Sequence, residues 1–216
     1  MSVPSSSPVR VPAGHSPIFR AGQTGPVWRV LDGVVRLDRI GGPASLPVQL
    51  ALPGDLIGVE ALCDLPYQFT AEAFTACELE PVVLGTLGGA EAAAAREALL
   101  RQVLLQQQAR SHDMATLRTG TVMQRLAHLL RLLGLPWQGA QAAAGAQADA
   151  IRQALPTLRE VAELVDAKTE TVCRALAQLL PPRSRKSGPR KLKPVPVLAK
   201  PVLAWSANTG RVSVAA

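Results

Sequence analysis

The alternation of hydrophobic and polar positions divides the chain into a strand-like first part and a helical remainder. Between residues 15 and 88, apolar runs such as VWRVLDGVVRLDRI and SLPVQLAL are separated by Gly, Pro and Asp turn signals. Many short strands with regular turns predict a β-sandwich, roll or barrel. Residues 1–13 are interpreted as a loose arm.

A long helix is predicted from residue 90 to 118. This stretch is rich in Ala, Glu, Arg, Gln and Leu and contains no Pro, a composition that favours helix. Steps of three and four residues trace a seam with a polar middle, as in a coiled coil. The seam consists of Leu100, Val103, Gln107, Arg110, Met114, Leu117 and Thr121. In a monomer such a stripe would pack on the chain's own sheet.

The sequence Thr119-Gly120-Thr121 is expected to end this helix, because Gly weakens helices and Thr caps them. VMQRLAHLLRLLG at 122–134 then predicts a second amphipathic helix. Residues 135–155 are interpreted as a low-complexity connector.

Two short helices with a break between them are predicted in PTLREVAELVDAKTETVCRALAQLL, residues 156–180. Thr157 and Glu160 have the spacing of a capping box at the start of the first helix. The triplet Asp166-Ala167-Lys168 interrupts the helical period, and Thr169 is expected to cap the second helix. Helices this short cannot bury their apolar faces alone, so the pair predicts a helix-turn-helix.

The outer face of the second helix carries Thr169, Glu170, Cys173 and Arg174. A helix that enters the DNA major groove reads bases with its N-terminal residues. Arg can bond guanine O6 and N7, and Glu can accept a hydrogen bond from the cytosine amino group. The alternative is an i, i+4 ion pair on an ordinary surface helix.

The distribution of charge favours a polyanionic partner for the second half of the chain. The 216 residues carry a formal net charge of +7. Residues 1–90 contain five Arg against eight acids, whereas residues 135–216 contain twelve Lys or Arg against five acids. This asymmetry indicates contact between the C-terminal part and nucleic acid. The alternative is a basic surface that is only solvated.

Several other classes of function are disfavoured. No apolar run approaches the roughly 18 residues needed to span a membrane, and residues 1–14 lack the apolar core of a signal peptide. Cys63, Cys77 and Cys173 form no disulfide framework or CxxC site, so a cytoplasmic protein is expected. No catalytic or metal-binding motif stands out. We therefore predict no enzyme, no metal and no cofactor, with haem as a less favoured alternative.

The helix-turn-helix segment VAELVDAKTETVCRAL closely resembles the Crp/Fnr family of bacterial transcription regulators. ETVCR at 170–174 matches the family's ETVSR, with Cys173 at the Ser position, and Asp166 stands where the family usually has a turn Gly. The strand region resembles the family's β-roll sensor domain in four segments: FRAG (19–22), LDGVVRL (31–37), PGDLIGVEAL (53–62) and TAEA (70–73).

The resemblance implies an α+β fold with three parts. A cyclic-nucleotide-binding-like β-roll with its N-terminal arm would occupy residues 1–89, and a long dimerisation helix residues 90–118. The winged helix-turn-helix DNA-binding domain would occupy residues 119–216, with a basic, Pro-rich insertion at 181–201 before a hairpin wing at 202–214. Pairing of the long helix with its copy would use Leu100, Val103, Gln107, Met114 and Leu117.

The effector pocket implied by the resemblance departs from the cyclic-nucleotide pattern. Nucleotide-binding members use a Gly-Glu pair and an Arg followed by Ser or Thr and then Ala. The corresponding positions in this chain are Gly58, Val59, Glu60, Phe69, Thr70, Ala71 and Ser111. Of these, Ser111 would contact the ligand from the partner chain. Because Val59 and Phe69 stand at the Glu and Arg positions, a buried phosphate would lack a counter-charge. We predict an effector other than cyclic AMP; the alternative is a roll corner with an apolar fill.

The resemblance also assigns roles at the DNA face. Bases of a palindromic, TGA-like half-site would be read by Thr169, Glu170, Cys173 and Arg174, and phosphates would be contacted by Thr157, Arg159, Lys168 and Thr171. The implied partners are double-stranded DNA, a second copy of the chain, a small-molecule effector and RNA polymerase. The alternative function is a DNA-binding module with a degenerate sensor, controlled by expression level or a protein partner. A haem-based gas or redox sensor is less favoured.

Overall fold

The computed structural model describes residues 7–14, 17–41, 45–82, 89–135 and 145–180. All of these described residues belong to one compact unit. The basic insertion and the wing predicted from the sequence lie outside the described residues.

The first half of the described chain is a pair of antiparallel sheets, as the alternating pattern predicts. The strands are β1 Val9–Val11, β2 Val27–Asp32, β3 Val35–Ile40, β4 Ser45–Ala51, β5 Leu56–Ile57, β6 Thr70–Ala73 and β7 Cys77–Val82. One sheet has the order β1-β7-β2-β5 and the other the order β4-β3-β6. A 3₁₀ helix, Val59–Cys63, follows β5.

Strand β1 corrects the interpretation of residues 1–13 as a loose arm. It pairs antiparallel with β7, so that Val9 lies opposite Leu79 and Val11 opposite Cys77. A three-residue strand at the sheet edge carries too little periodicity to be predicted from sequence, because its stability comes from the ladder that β7 provides.

Five helices follow within the described ranges: α1 Gly89–Arg118, α2 Val122–Leu132, α3 Gly145–Ala154, α4 Leu158–Leu164 and α5 Thr169–Leu179. None of the helices in these ranges is long and apolar enough to cross a membrane. The break predicted between α1 and α2 is present, with Gly120 at φ +80°. The Thr121 side chain caps α2 in a reciprocal capping box with Gln124.

Two sequence expectations about the helices are wrong. The segment interpreted as a connector contains α3, whose Ala148 and Ile151 are fully buried against the other helices. Thr169 is the first helical residue of α5, and the N-cap is Lys168, which makes no side-chain capping bond. The first error arose because the Ala-rich segment has few large apolar residues to mark a helical period.

The helices share an apolar core with one part of the β-roll, while the sheets also enclose a separate core of their own. Leu117 of α1, Leu126 and Leu129 of α2 and Val161 of α4 are at most 1% exposed. The same cluster includes sheet-side residues that are almost completely buried, namely Val34, Leu50 and Phe74. The helix-turn-helix is therefore held in place by packing against the β-roll as well as by α2.

Candidate DNA-binding face and effector cavity

The first helix of the helix-turn-helix begins with the capping box that the sequence predicts. Thr157 Oγ1 accepts a hydrogen bond from the Glu160 backbone N–H at 3.3 Å, and Glu160 Oε2 accepts one from the Thr157 N–H at 2.9 Å. Two of the free N–H groups of α4 are thus satisfied, and the start of the helix is fixed.

The turn between α4 and α5 depends on Asp166 and on an unpredicted contact from α2. Asp166 has φ +47°, the left-handed conformation that the family Gly usually supplies. Arg125 Nη1 donates to the Val165 carbonyl at 3.0 Å and to the Asp166 carbonyl at 3.2 Å. Arg125 thereby satisfies free carbonyls at the end of α4 with a cation, which the helix dipole also favours.

The outer face of α5 is open to solvent. Thr169, Glu170, Cys173 and Arg174 are all exposed, as the sequence predicts. The opposite face is buried and consists of Val172, Ala175, Leu176 and Leu179. Arg174 Nη2 lies 4.0 Å from Glu170 Oε2, and both side chains are more than four-fifths exposed. An ion pair this open contributes little to stability, so the fold does not require these two side chains.

The four residues expected to contact phosphates, Thr157, Arg159, Lys168 and Thr171, are also exposed. Arg159 and Lys168 line a groove between α4 and α5, together with Asp166 and Thr169. Arg159 Nε is 3.1 Å from Glu163 Oε1, so part of its charge is already paired. Lys168 and Thr171 have unpaired polar ends within the described part of the chain and lie in or beside the first turn of α5, where the N–H groups favour anions.

A second candidate site is a cavity of about 120 Å³ between the β-roll and α1. Its floor and walls are mainly apolar, with a few amide groups and one carboxylate. It is lined by Phe19, Leu37, Gln49, Leu56, Ile57, Gly58, Val59, Glu60, Phe69, Val103, Gln106 and Gln107. Among the described residues, no Lys or Arg lines the cavity.

The structure brings together four of the seven residues expected in the effector pocket. Gly58, Val59, Glu60 and Phe69 line the cavity. Gly58 has φ +67°, and a Cβ at this position would lie 2.6 Å from Tyr67 Cε1, so only Gly fits between Pro26 and the Tyr67 ring. Glu60 also lies at the cavity wall, and its Oε1 accepts a hydrogen bond from the Gln68 N–H at 3.1 Å.

Three expected pocket residues do not line the cavity of the single chain: Thr70, Ala71 and Ser111. The assignment of Thr70 and Ala71 is thereby corrected, whereas Ser111 was expected to reach the ligand from the partner chain and stays a prediction. Thr70 is buried and its Oγ1 accepts a hydrogen bond from the Ala21 N–H at 3.2 Å. Ala71 is fully buried in the sheet core, and Ser111 is exposed on α1. Sequence reasoning missed Gln49, Gln106 and Gln107, because strand β4 and helix α1 carry no ligand motif.

The long helix α1 uses its apolar seam differently from the prediction. Met114 and Leu117 are buried in the protomer's own core, so these two are corrected from dimer contacts to internal ones. Val103 is half-buried and lines the cavity, and its contact in a dimer stays a prediction. Leu100 and Gln107 remain exposed. Two further leucines form an apolar surface beside them, with Leu104 67% and Leu105 65% exposed.

Solved structures of bacterial regulators are similar to this chain over most of its length. A CRP-family transcriptional regulator from Thermus thermophilus is 26% identical, with a TM-score of 0.57 over 78% of this chain and 82% of its own. A CRP/FNR-family regulator from the same organism is 27% identical, with a TM-score of 0.50 over 78% and 83%. The chain is of the Crp/Fnr type.

The fold is also that of a more distant bacterial regulator. The c-di-GMP-responsive global regulator from Xanthomonas campestris is 19% identical, with a TM-score of 0.54 over 81% of this chain and 86% of its own. No protein-family model and no curated protein matches the chain.

In this Crp/Fnr-type chain, a row of charged and titratable side chains links the β-roll to helices α1 and α2, and all of them except the exposed Arg131 are buried or half-buried. Arg110 Nε lies 3.1 Å from Asp55 Oδ2, and Arg110 Nη1 donates to Asp113 Oδ2 at 2.6 Å. His128 Nε2 of α2 is 3.0 Å from Asp113 Oδ1, and Arg131 Nη2 is 2.8 Å from His128 Nδ1. The row therefore spans the turn before β5, helix α1 and helix α2.

The protonation of this row follows from its burial. Because Arg131 can only donate, His128 Nδ1 accepts and Nε2 carries the hydrogen that bonds Asp113. Burial, reinforced by the Arg131 charge, lowers the pKa of His128, although Asp113 opposes the change. Burial raises the pKa of Asp55, against the opposing effects of the Leu52 N–H and Arg110. A neutral His128 is thus the form that the fold holds.

Proposed function

We propose that the protein is a homodimeric, sequence-specific DNA-binding transcription regulator whose α5 reads base edges in the major groove. The observation that carries this proposal is the exposure of Glu170 and Arg174 in the first half of a helix whose other face is completely buried. Arg174 would bond a guanine through O6 and N7, and Glu170 would accept from the amino group of a cytosine. Thr169 and Cys173 would contact the flanking bases of a TGA-like half-site.

Phosphate contacts would fix the register of α5 on the duplex. Arg159 and Lys168 flank the groove between α4 and α5, and Thr157 and Thr171 lie near the starts of the two helices. Helix N-termini and cations are the usual partners of phosphate oxygens, and they position a protein without reading sequence.

A dimer would place two copies of α5 in successive major grooves about one helical turn, roughly 34 Å, apart. The exposed leucines of α1, Leu100, Leu104 and Leu105, are the apolar surface that supports pairing of α1 with its copy. Gln107 and Ser111 continue the same side of the helix toward its C-terminal end, in steps of three and four residues from Leu104. Their polar character would allow hydrogen bonds across the two-fold axis.

Gating by an effector other than cyclic AMP is supported by the chemistry of the cavity. A cyclic nucleotide carries a phosphate that needs a buried counter-charge. Among the described lining residues the ionisable group is the Glu60 carboxylate, which would repel a phosphate. Because Val103 and Gln107 of α1 form one wall, an occupant of the cavity would contact the dimer helix directly. The proposal includes no metal or cofactor, a cytoplasmic location, and RNA polymerase as a further candidate partner.

Binding-site selection from random duplex DNA with the purified protein tests the proposed function. We expect an inverted repeat of TGA-like half-sites, with enrichment that falls steeply as salt rises. Recovery of unenriched random sequence would overturn the proposal. If the repeat is recovered but its affinity is the same in natively purified and ligand-stripped protein, the sensor is degenerate and the module is controlled by its amount or by a protein partner.

A further inference from the structure

The cavity is lined by a largely buried side-chain amide, Gln49, that forms no hydrogen bond with the described protein residues. Gln49 of β4 is only 8% exposed, and its side chain has no hydrogen-bond partner in the described part of the chain. The Gln49 amide atoms are not among the enclosed, unpaired side-chain atoms of the described chain, so they keep contact with solvent, and a ligand group can replace that water. A ligand in the cavity would supply a partner for the amide.

Two of the other polar groups at the cavity wall, Gln106 and Glu60, already have partners inside the protein, whereas the third, Gln107, is exposed on α1. Gln106 Nε2 donates to the Leu56 carbonyl and Gln106 Oε1 accepts from the Leu56 N–H, both at 2.8 Å. Glu60 Oε1 accepts from the Gln68 N–H at 3.1 Å. Gln49 is therefore the buried group that can orient a ligand without breaking an existing bond.

Size and charge restrict the ligand further. A cavity of about 120 Å³ is close to the roughly 150 Å³ of an apolar cavity that holds benzene. The wall is apolar at Phe19, Ile57 and Phe69. A carboxylate or phosphate on the ligand would face Glu60 with no cation among the described lining residues, so an anion is disfavoured.

We propose that the cavity binds a small, uncharged, largely apolar organic molecule with one polar group complementary to an amide, and that Gln49 recognises that group. The inference rests on the proposed function, because it identifies this cavity as the effector site. The ligand would bridge β4 and α1, since Gln49 lies on one wall and Val103 and Gln107 lie on the other.

Two probes of nearly equal size that differ in charge test the proposal. Butyramide is neutral and can pair with an amide, and butyrate is its anionic counterpart. Binding to the full-length protein is measured by saturation-transfer NMR titration at millimolar probe. We expect transfer to butyramide and none to butyrate. The inference would be contradicted if butyrate bound with the same affinity as butyramide. It would also be contradicted if cyclic AMP displaced butyramide at equal concentration.

Variants separate the role of Gln49 from a general effect on the protein. Gln49→Leu keeps nearly the same volume and removes the amide, so butyramide should bind about two- to tenfold more weakly. Gln153→Leu, the same change at an exposed position of α3, should leave butyramide binding unchanged. Equal butyramide affinity in Gln49→Leu and the parent protein would overturn the assignment of Gln49.

The same samples are tested for binding to the selected inverted repeat. If butyramide fails to bind while the parent protein still binds the repeat, the ligand class is wrong and the DNA-binding function stands. If no repeat is selected, the proposed function fails whatever the probe does.

Discussion

At the scale of single residues, Arg174 and Lys168 should have different effects on DNA binding. Arg174→Ala should weaken binding to the selected duplex by about 1–3 kcal/mol and remove discrimination at one base pair per half-site. Its exposure of 82% means that the folded state should be unaffected. Fluorescence anisotropy with single-base-pair variants of the duplex measures both effects.

Lys168→Ala is the matched comparison, because Lys168 is exposed on the same side of the turn. It should weaken binding to all duplexes alike and reduce the salt slope by about one. If Arg174→Ala left the base preference intact, the assignment of the reading face would be wrong.

Asp166 should be a site where Gly increases stability. Its φ of +47° costs an L-residue roughly 1–2 kcal/mol, less for Asp than for most, while Gly adopts it freely. We expect Asp166→Gly to raise the free energy of unfolding by about 0.5–1 kcal/mol after the entropy cost of Gly. Urea denaturation measures the change.

The control is Ala167→Gly, at the next residue, which has no positive φ. Here Gly adds only flexibility to the unfolded chain and should lower the free energy of unfolding. A loss of stability in Asp166→Gly would mean that the Asp side chain contributes more to the turn than the backbone conformation costs.

Several residue-level features could be predicted from sequence because their partners are local. The Thr157–Glu160 capping box and the exposed positions on α5 both depend on spacings of three or four residues. The contact of Arg125 with the end of α4 could not be predicted, because its partners lie about 40 residues away and are backbone carbonyls, which carry no sequence signal.

At the scale of elements, the sequence periodicity of α1 predicts the helix but not the surfaces against which its apolar residues pack. Its spacing of three and four residues predicted a helix with an apolar stripe, and the helix Gly89–Arg118 confirms the helical part. The pattern could not decide which surface covers each stripe. The β-roll and α2 bury Met114 and Leu117. Leu104 and Leu105, the two residues that follow Val103 of the predicted seam, remain exposed.

The two leucine positions should therefore respond differently to substitution. Leu104→Glu places a charge on the exposed stripe and should convert the proposed dimer to a monomer with little change in the unfolding of the protomer. Leu117→Ala should lower the free energy of unfolding by about 2–5 kcal/mol, because Leu117 is fully buried. Sedimentation equilibrium and urea denaturation separate the two effects. A Leu104→Glu protein that remains dimeric would exclude this stripe as the interface.

At the scale of the whole molecule, the sheets and helices are joined by a shared apolar core and by the buried charges around His128. The sequence predicted the α+β class and the order of sheet then helices, because periods of two and 3.6 are local properties. It did not predict that Val34, Leu50 and Phe74 of the roll would pack with the helix-turn-helix, since such contacts depend on tertiary placement.

Stability should fall on acidification because the fold holds His128 neutral. Its pKa is lowered by burial and by Arg131, so below about pH 6.5 the unfolded chain binds a proton that the folded chain does not. The charged or titratable groups that face it are Asp113 and His112 of α1 and Arg131 of α2. Thermal unfolding from pH 8 to pH 5 should show a loss of stability that begins near pH 6.5.

The control is His128→Gln, which keeps a hydrogen-bonding side chain and cannot titrate. This variant should lose the part of the pH dependence that begins near pH 6.5. An unchanged pH profile in His128→Gln would mean that another group causes the loss of stability.

The claim on which the account depends is that Arg174 from each of two protomers contacts a guanine edge in the major groove. Methylation interference on the selected duplex tests it most directly, because N7 methylation of guanine blocks a bidentate arginine contact. We expect interference at one guanine per half-site, about one helical turn apart, and its loss in Arg174→Ala. Interference confined to minor-groove adenine N3, or the same guanine pattern with Arg174→Ala, would contradict the account.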